Sequence, residues 1–377
     1  MIAVSVLLFL CVCYAIVRTR TVSEPVVLNV SLYKSIPDYD SFEKTVGQCW
    51  KEIHPEAELN FVDWDCYSGT VPDDLDVFVL DTLSLDAFAE KDYLLALSEE
   101  EIQDYDDLIP SFVEGCRVDG EICAIPQLLC TDLLYTRKDD AGLKNVKSIH
   151  ELYETLGSSG LLLDKQSAGL GICMYMQAQI DGTQQYTDHY PPIEEDTLDQ
   201  EAIASLEEIR NMHQTDPEGI PEDSGWFPYA RKFAEGMGDA YIGFSESMDV
   251  MEEGASEMDF RLFSMTDDKD IPVFYVDAAA VNAKISDEKR ALAIDFLNMI
   301  TGKDLLARAS AKDGDPRYLL TPRYSVYDML EPDYPIYADL KTVASVPDAF
   351  VFRISPDGDK YLDTAEQSAD LLPSLSD

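Results

Sequence analysis

The side chains best suited to chemistry in this 377-residue chain stand at or near the ends of its apolar segments. They are Tyr33, Asp65 to Tyr67, Asp81, Cys130, Glu246 and Asp277, with Tyr275 two residues before the last. A thiol becomes a covalent nucleophile once it loses its proton. A carboxylate can take that proton, and acidic and aromatic groups together suit a cationic ligand. The set is unusual for a plain sugar or peptide binder. Taken singly, each residue has a blander reading. A lone cysteine after a strand is ordinarily a small buried hydrophobe, a lone glutamate a solvated acid, and the tyrosines core packing.

Metal chemistry finds little support. Cys49, Cys66, Cys116, Cys123, Cys130 and Cys173 contain no CxxC pair, and His54, His150, His189 and His213 are scattered. No histidine sits in a nucleophile-like pairing with a cysteine, which disfavours a thiol hydrolase. Neither a metal nor an organic cofactor is expected. Acidic residues number 73 against 28 basic, a formal charge of -45. Such a surface repels nucleic-acid phosphates and anionic membranes and attracts cations, so neither a nucleic acid nor a stable membrane partner is expected. The charge is equally a solubility device, and both readings can hold. Apolar residues make up 46% of the chain, without low-complexity tracts or short repeats, as in a folded protein of two lobes.

Met1 to Val17 is almost wholly apolar and is followed by Arg18 and Arg20. The run suits an export signal over residues 1–20, with an uncleaved anchor as the rival. A secreted or extracytoplasmic protein is expected on either reading.

The elements that must position the strand-end residues follow from periodicity. Val26, Leu28, Val30 and Leu32 alternate with other residues, as in a strand. Asp40 and Glu43 resemble a capping box for a helix carrying Phe42, Val46, Cys49, Trp50 and Ile53 and stopped by Pro55. Strands over 59–64 and 76–81 complete a β-α-β start, which predicts a parallel sheet. A helix is expected over 84–97. Asp119-Gly120 reads as a two-residue hairpin turn that sets Cys116 opposite Cys123. Their disulfide is left open. A strand within TDLLYTRKD, helices over 148–156 and 199–213, and a helix, turn and strand over 233–246 come next. The strand IPVFYVDAAAVN then leads to one long helix from Ser286 carrying Leu292, Phe296, Ile300 and Leu305.

This order resembles the type 2 extracytoplasmic solute-binding fold, a periplasmic-binding-protein-like α/β architecture with a cleft between two lobes. It implies lobe 1 over 26–127 and 278–330, and lobe 2 over 128–277 and 331–377. Ligands of open α/β sheets sit beyond the carboxyl ends of the strands.

The strand-end segments themselves resemble thiaminase I, the thiamine pyridinylase family. The matching stretches are LNVSLYKSIPDYDSFEKTV, LNFVDWDCYSG, LDVFVLD, IPQLLCTDLLYTRK, AYIGFSESM and FYVDAAAVN, in order between residues 28 and 282. The resemblance implies a transferase that replaces the thiazole of thiamine by another nucleophile through a covalent cysteine–pyrimidine intermediate. Cys130 matches the nucleophile and Glu246 the general base. It further implies that Tyr33, Tyr67 and Tyr275 contact the rings, and that Asp81 and Asp277 hold the pyrimidine. Thiamine and a small amine, pyridine or thiol would be the partners of a monomer. Ser35 and Phe244 stand where the family has tyrosines, which bears on substrate affinity more than on the reaction. The rival is a transporter's thiamine- or pyrimidine-binding protein, in which the thiol would be idle.

Overall fold

The computed structural model describes residues 25–164, 168–215, 219, 225–312 and 314–375, so the expected export segment at 1–20 lies outside the described residues. Among the described residues no helix is long and apolar enough to cross a membrane. The chain opens as the alternation predicts. Strand β1 (Val26–Ser31) pairs in parallel with β2 (Ala57–Phe61) and β3 (Val77–Asp81), and the helix Tyr39–Ile53 makes the crossover. That helix buries Phe42, Val46, Cys49 and Trp50. Its start differs from the capping box: the helix begins after Asp38, which is left-handed at φ 54, and Glu43 instead accepts from the Tyr39 hydroxyl at 3.0 Å. The strand expected over 59–64 is shifted to Ala57–Phe61.

The hairpin forms at Asp119-Gly120, both with positive φ as an I′ turn demands, between β4 (Arg117–Val118) and β5 (Glu121–Ile122). Cys123 donates its N–H to the Cys116 carbonyl at 3.1 Å, and both thiols are buried and free. Strand β6 (Ile125–Cys130) then pairs with β11 (Val273–Val281), which also pairs with β3 and with β14 (Phe350–Val351). The first sheet thus runs β14-β11-β3-β1-β2, with β6 on the other edge of β11.

The second sheet runs β10 (Met258–Arg261), β7 (Leu133–Arg137), β9 (Ala240–Gly243), β8 (Leu161–Leu163). Its strands alternate between two cores. Leu133, Tyr135, Leu162 and Tyr241 join the large core shared with the first sheet, while Leu134, Leu161, Leu163 and Ile242 join a second core. Helices Ile149–Leu156, Ala168–Thr183 and Gln200–Met212 contribute Ile149, Leu152, Ile172, Met176, Leu206 and Ile209 to that second core.

Pairing corrects the lobe boundaries. All of β6 lies in the first sheet, so the chain crosses at Thr131–Asp132 rather than at 127–128. The return falls between Arg261 and Val273, because the whole of β11 belongs to the first sheet, not at 277–278. Helices Tyr324–Leu330 and Ile336–Ala344 pack in series onto Lys303–Ser310, which lies on Tyr39–Ile53, so residues 331–344 accompany the first lobe. Helix Gly358–Gln367 packs on Ala168–Thr183 of the second. The helix expected over 84–97 stops at Glu90, and Leu94 and Leu97 make β-bridges to Asn282 and Ile122. The long helix from Ser286 is two helices, Asp287–Ile300 and Lys303–Ser310, broken at Gly302, where a Cβ would fall 2.7 Å from the Asn298 carbonyl oxygen.

Gly243 ends β9 against a similar constraint. A Cβ there would sit 2.1 Å from the hydroxyl of Tyr241, a buried phenol that donates to Asp164 at 2.7 Å. Gly243→Ala is expected to destabilise the fold by about 1–3 kcal/mol through this overpacking. A urea midpoint equal to that of the wild type contradicts it.

Candidate active site

The carboxyl ends of the three parallel strands supply one wall. Tyr33 follows β1, Asp81 ends β3, and Tyr67 sits in the short turn Cys66–Ser68 beyond β2, where the Asp65 carboxylate accepts its N–H at 3.0 Å. Their polar ends form a chain: the Tyr33 and Tyr67 hydroxyls lie 2.8 Å apart, and Tyr67 donates to Asp81 at 2.8 Å. The other oxygen of Asp81 accepts the Leu83 N–H at 2.9 Å.

Strand β11 runs antiparallel to β3 and β6. This sets Asp277 across from Asp81 and Tyr275 across from Cys130, with the register against β6 shifting between Asp277 and Ala278. Such bulges re-aim side chains beside active sites. Glu246 comes from the second sheet, in the turn Ser245–Ser247 just past β9. Cys130 Sγ lies 3.5 Å from Glu246 Oε1, so one lobe contributes the thiol and the other its carboxylate.

All seven residues line one cavity of about 530 Å³, as do Ser35 and Phe244. Tyr275 packs edge-on against Phe352, with ring centroids 5.1 Å apart, and lies 6.1 Å from Phe244. Asp132, Cys173, Trp226, Phe227 and Glu366 also face this space. Sequence reasoning passed over them. For Asp132 a signal was present, since Leu128, Cys130 and Asp132 continue one two-residue alternation. Phe352 and Glu366 come from the C-terminal segment, which no local pattern tied to the cleft. Cys66 is buried and does not line the cavity.

Among the described residues lining the cavity there is no lysine, arginine or histidine, whereas five are acidic: Asp81, Asp132, Glu246, Asp277 and Glu366. Among the described residues no group of three or more His, Cys, Asp or Glu can hold a metal ion. Burial, followed by the negative charges of Glu246 and Asp277, pushes the Cys130 thiol well above its ordinary pKa. Burial also raises Glu246, against hydrogen bonds from its own backbone, Cys130 and Ser245. Asp277 is driven far up by burial, then by Asp81 and Glu246. Burial and then Glu246 push Asp132 up to about 7. The thiol is therefore protonated at rest, and any nucleophilic use of it would require a base acting in the same step.

Residues 131–266 match the family description "Thiaminase-1 domain", which begins one residue after Cys130. The chain is 36% identical over 362 residues to Thiaminase-1 of Paenibacillus thiaminolyticus, covering 92% of this chain and 88% of that one. This chain belongs to the thiaminase I family. Membership makes it an enzyme of the thiamine pyridinylase class. The solved structure of Clostridium botulinum thiaminase I in complex with thiamin superposes with a TM-score of 0.86 at 36% identity, covering 91% of this chain and 98% of that one. Maltose-bound MalE3 of T. maritima superposes with a TM-score of 0.65 at 16% identity over 90% of this chain and 92% of that one, which shows the solute-binding fold.

The raised cleft carboxyls make a prediction for this thiaminase I homologue. Unfolded carboxyls titrate near about pH 4, whereas folded Asp132 titrates at about 7 and Asp277 and Glu246 are also raised. Above the unfolded pKa the native state binds more protons than the unfolded one. Stability is therefore fullest at low pH and is lost as pH rises through the folded pKa values. The urea midpoint should fall between about pH 5 and pH 8, and Asp277→Asn should flatten that fall.

Proposed function

We propose that the cavity cleaves thiamine at its methylene bridge, with Cys130 as nucleophile and Glu246 as base. The observation that carries this reading is the 3.5 Å contact between the two in a cavity with no basic side chain among its described lining residues. Thiamine is a cation, and its thiazolium charge meets uncompensated carboxyls and aromatic faces there. Asp81 and Asp277 hold the aminopyrimidine, and Asp277, kept protonated by its surroundings, can donate to a ring nitrogen.

The steps balance as follows. Glu246 takes the thiol proton as the Cys130 sulfur adds to C6 of the pyrimidine. The C–N bond to the methylene then breaks, and its electron pair leaves with the thiazole, now neutral. A second nucleophile bonds to the methylene carbon. The C–S bond breaks, the ring is restored, and the thiolate recovers its proton from Glu246. Splitting one slow displacement into these steps is the gain from covalent catalysis. The co-substrate in this reading is a small amine, pyridine or thiol, and the protein acts as a secreted or extracytoplasmic monomer. The apolar run Met1 to Val17 followed by Arg18 and Arg20 supports export. A transporter's binding protein would share the fold but has no use for a thiol held against a buried carboxyl.

Incubation with thiamine and pyridine should release the thiazole, and a protein that leaves thiamine intact is not the proposed enzyme. Cys130→Ser should fold and bind thiamine but lose turnover by orders of magnitude. Glu246→Gln should lose about 10² to 10⁴ in rate. It should also lower the pH at which iodoacetamide alkylates Cys130, because removing the Glu246 charge removes a repulsion that disfavours the thiolate. A wild-type rate and alkylation profile in Glu246→Gln would assign the base to another carboxyl.

A further inference from the structure

Proton balance requires something of the second half of the reaction that Glu246 does not supply. Glu246 carries the thiol proton from the moment of attack until the thiolate departs. A protic acceptor, water or a thiol, must lose a proton as it bonds to the methylene carbon, while that site is still occupied. Pyridine has no such proton to lose. The cavity holds other carboxyls, but two are committed. Asp81 accepts from Tyr67 and from the Leu83 N–H. Asp277 faces Asp81 across the strands and is kept in its neutral form by burial and that neighbour. Glu366 is exposed.

Asp132 remains. It lies two residues beyond Cys130 at the crossing between lobes and lines the same cavity. It also lines a second, small cavity of about 30 Å³ together with Thr131, Gln177, Asp270 and Tyr275. That space is large enough to admit water. We propose that Asp132 is the proton acceptor for a protic second nucleophile, so that it governs which class of co-substrate the enzyme uses. This rests on the covalent reading above. The carboxyl stands between the reacting cavity and a mostly apolar recess, so it faces the reacting atoms from a site screened from bulk water. Its pKa of about 7 is suited to a base at neutral pH. The charge on Glu246 is among the causes that raise Asp132. When Glu246 is neutralised by the thiol proton that repulsion lifts, and Asp132 ionises more readily at the stage that needs a base.

The test uses the full chain with thiamine and either pyridine or 2-mercaptoethanol, with thiazole release and both transfer products measured. In Asp132→Asn the ratio of pyridine transfer to thiol transfer should rise by on the order of 10²-fold. Asp132→Glu, which keeps a carboxylate, should return the ratio toward the wild-type value. A ratio unchanged in Asp132→Asn, whatever the absolute rates, overturns the assignment. Intact thiamine with both acceptors in the wild type overturns the covalent reading itself, and this proposal with it.

Discussion

The site is governed by one electrostatic condition: a half-buried thiol, the buried Glu246 and several half-buried carboxyls share a cavity with no basic side chain among its described lining residues. A cysteine paired with an imidazolium is ionised at rest, because the positive partner favours the thiolate. Here the partner is Glu246, and every charge named around Cys130 is negative. On the proposed mechanism the thiol stays neutral until a base and a cation are both present. Activation is thereby tied to occupancy, since the positive charge that offsets the field arrives only with a cationic substrate.

Meeting that condition explains features of the fold that otherwise look incidental. Three parallel strands deliver Tyr33, Tyr67 and Asp81 from their carboxyl ends, but parallel strands alone could not bring Asp277 beside Asp81. The antiparallel β11 does so, and it serves both β3 and β6. A slip of one residue in either pairing would turn Tyr275 and Asp277 to the opposite face of the sheet. The shift at Asp277 lets β11 satisfy two partners whose registers differ. Glu246 must arrive from the other lobe, and its turn is held by strand β9, whose end has no room for a side chain at Gly243.

How much of this was legible in the sequence depended on whether the signal was local. The strand ends were, because the apolar segments end close to where Ser31 and Asp81 stop pairing, and Tyr33 and Asp81 at those ends line the cavity. The cysteine hairpin was legible for the same reason: Asp119-Gly120 admits one turn type, which fixes the opposing positions. Lobe boundaries were not, since they depend on which strands pair across more than a hundred residues, and a strand such as β11 reads identically in either sheet. Helix Ala168–Thr183 left no amphipathic stripe, because it is mostly apolar and packs between the helices Gln200–Met212 and Gly358–Gln367. Asp132 was overlooked through being read as strand, although it lies in the two-residue crossing where the chain passes the cavity.

The charge of -45 and the cleft's own acidity therefore act at different ranges. Surface carboxylates lie in water, remain ionised and attract a cation over distances limited by the Debye length of roughly 10 Å at about 0.1 M salt. Cleft carboxyls are desolvated, and burial pushes Asp277, Asp132 and Glu246 toward their protonated forms. The interior field at rest is weaker than a count of acidic residues implies, which is how so many carboxyls can be buried together without a counter-cation. Entry of a cation shifts the balance toward the ionised form of Glu246, while Asp277, raised by burial and by Asp81, stays protonated. On the proposed mechanism binding then does two things in one event: it holds the ligand more tightly, and it readies Glu246 to accept the proton of Cys130.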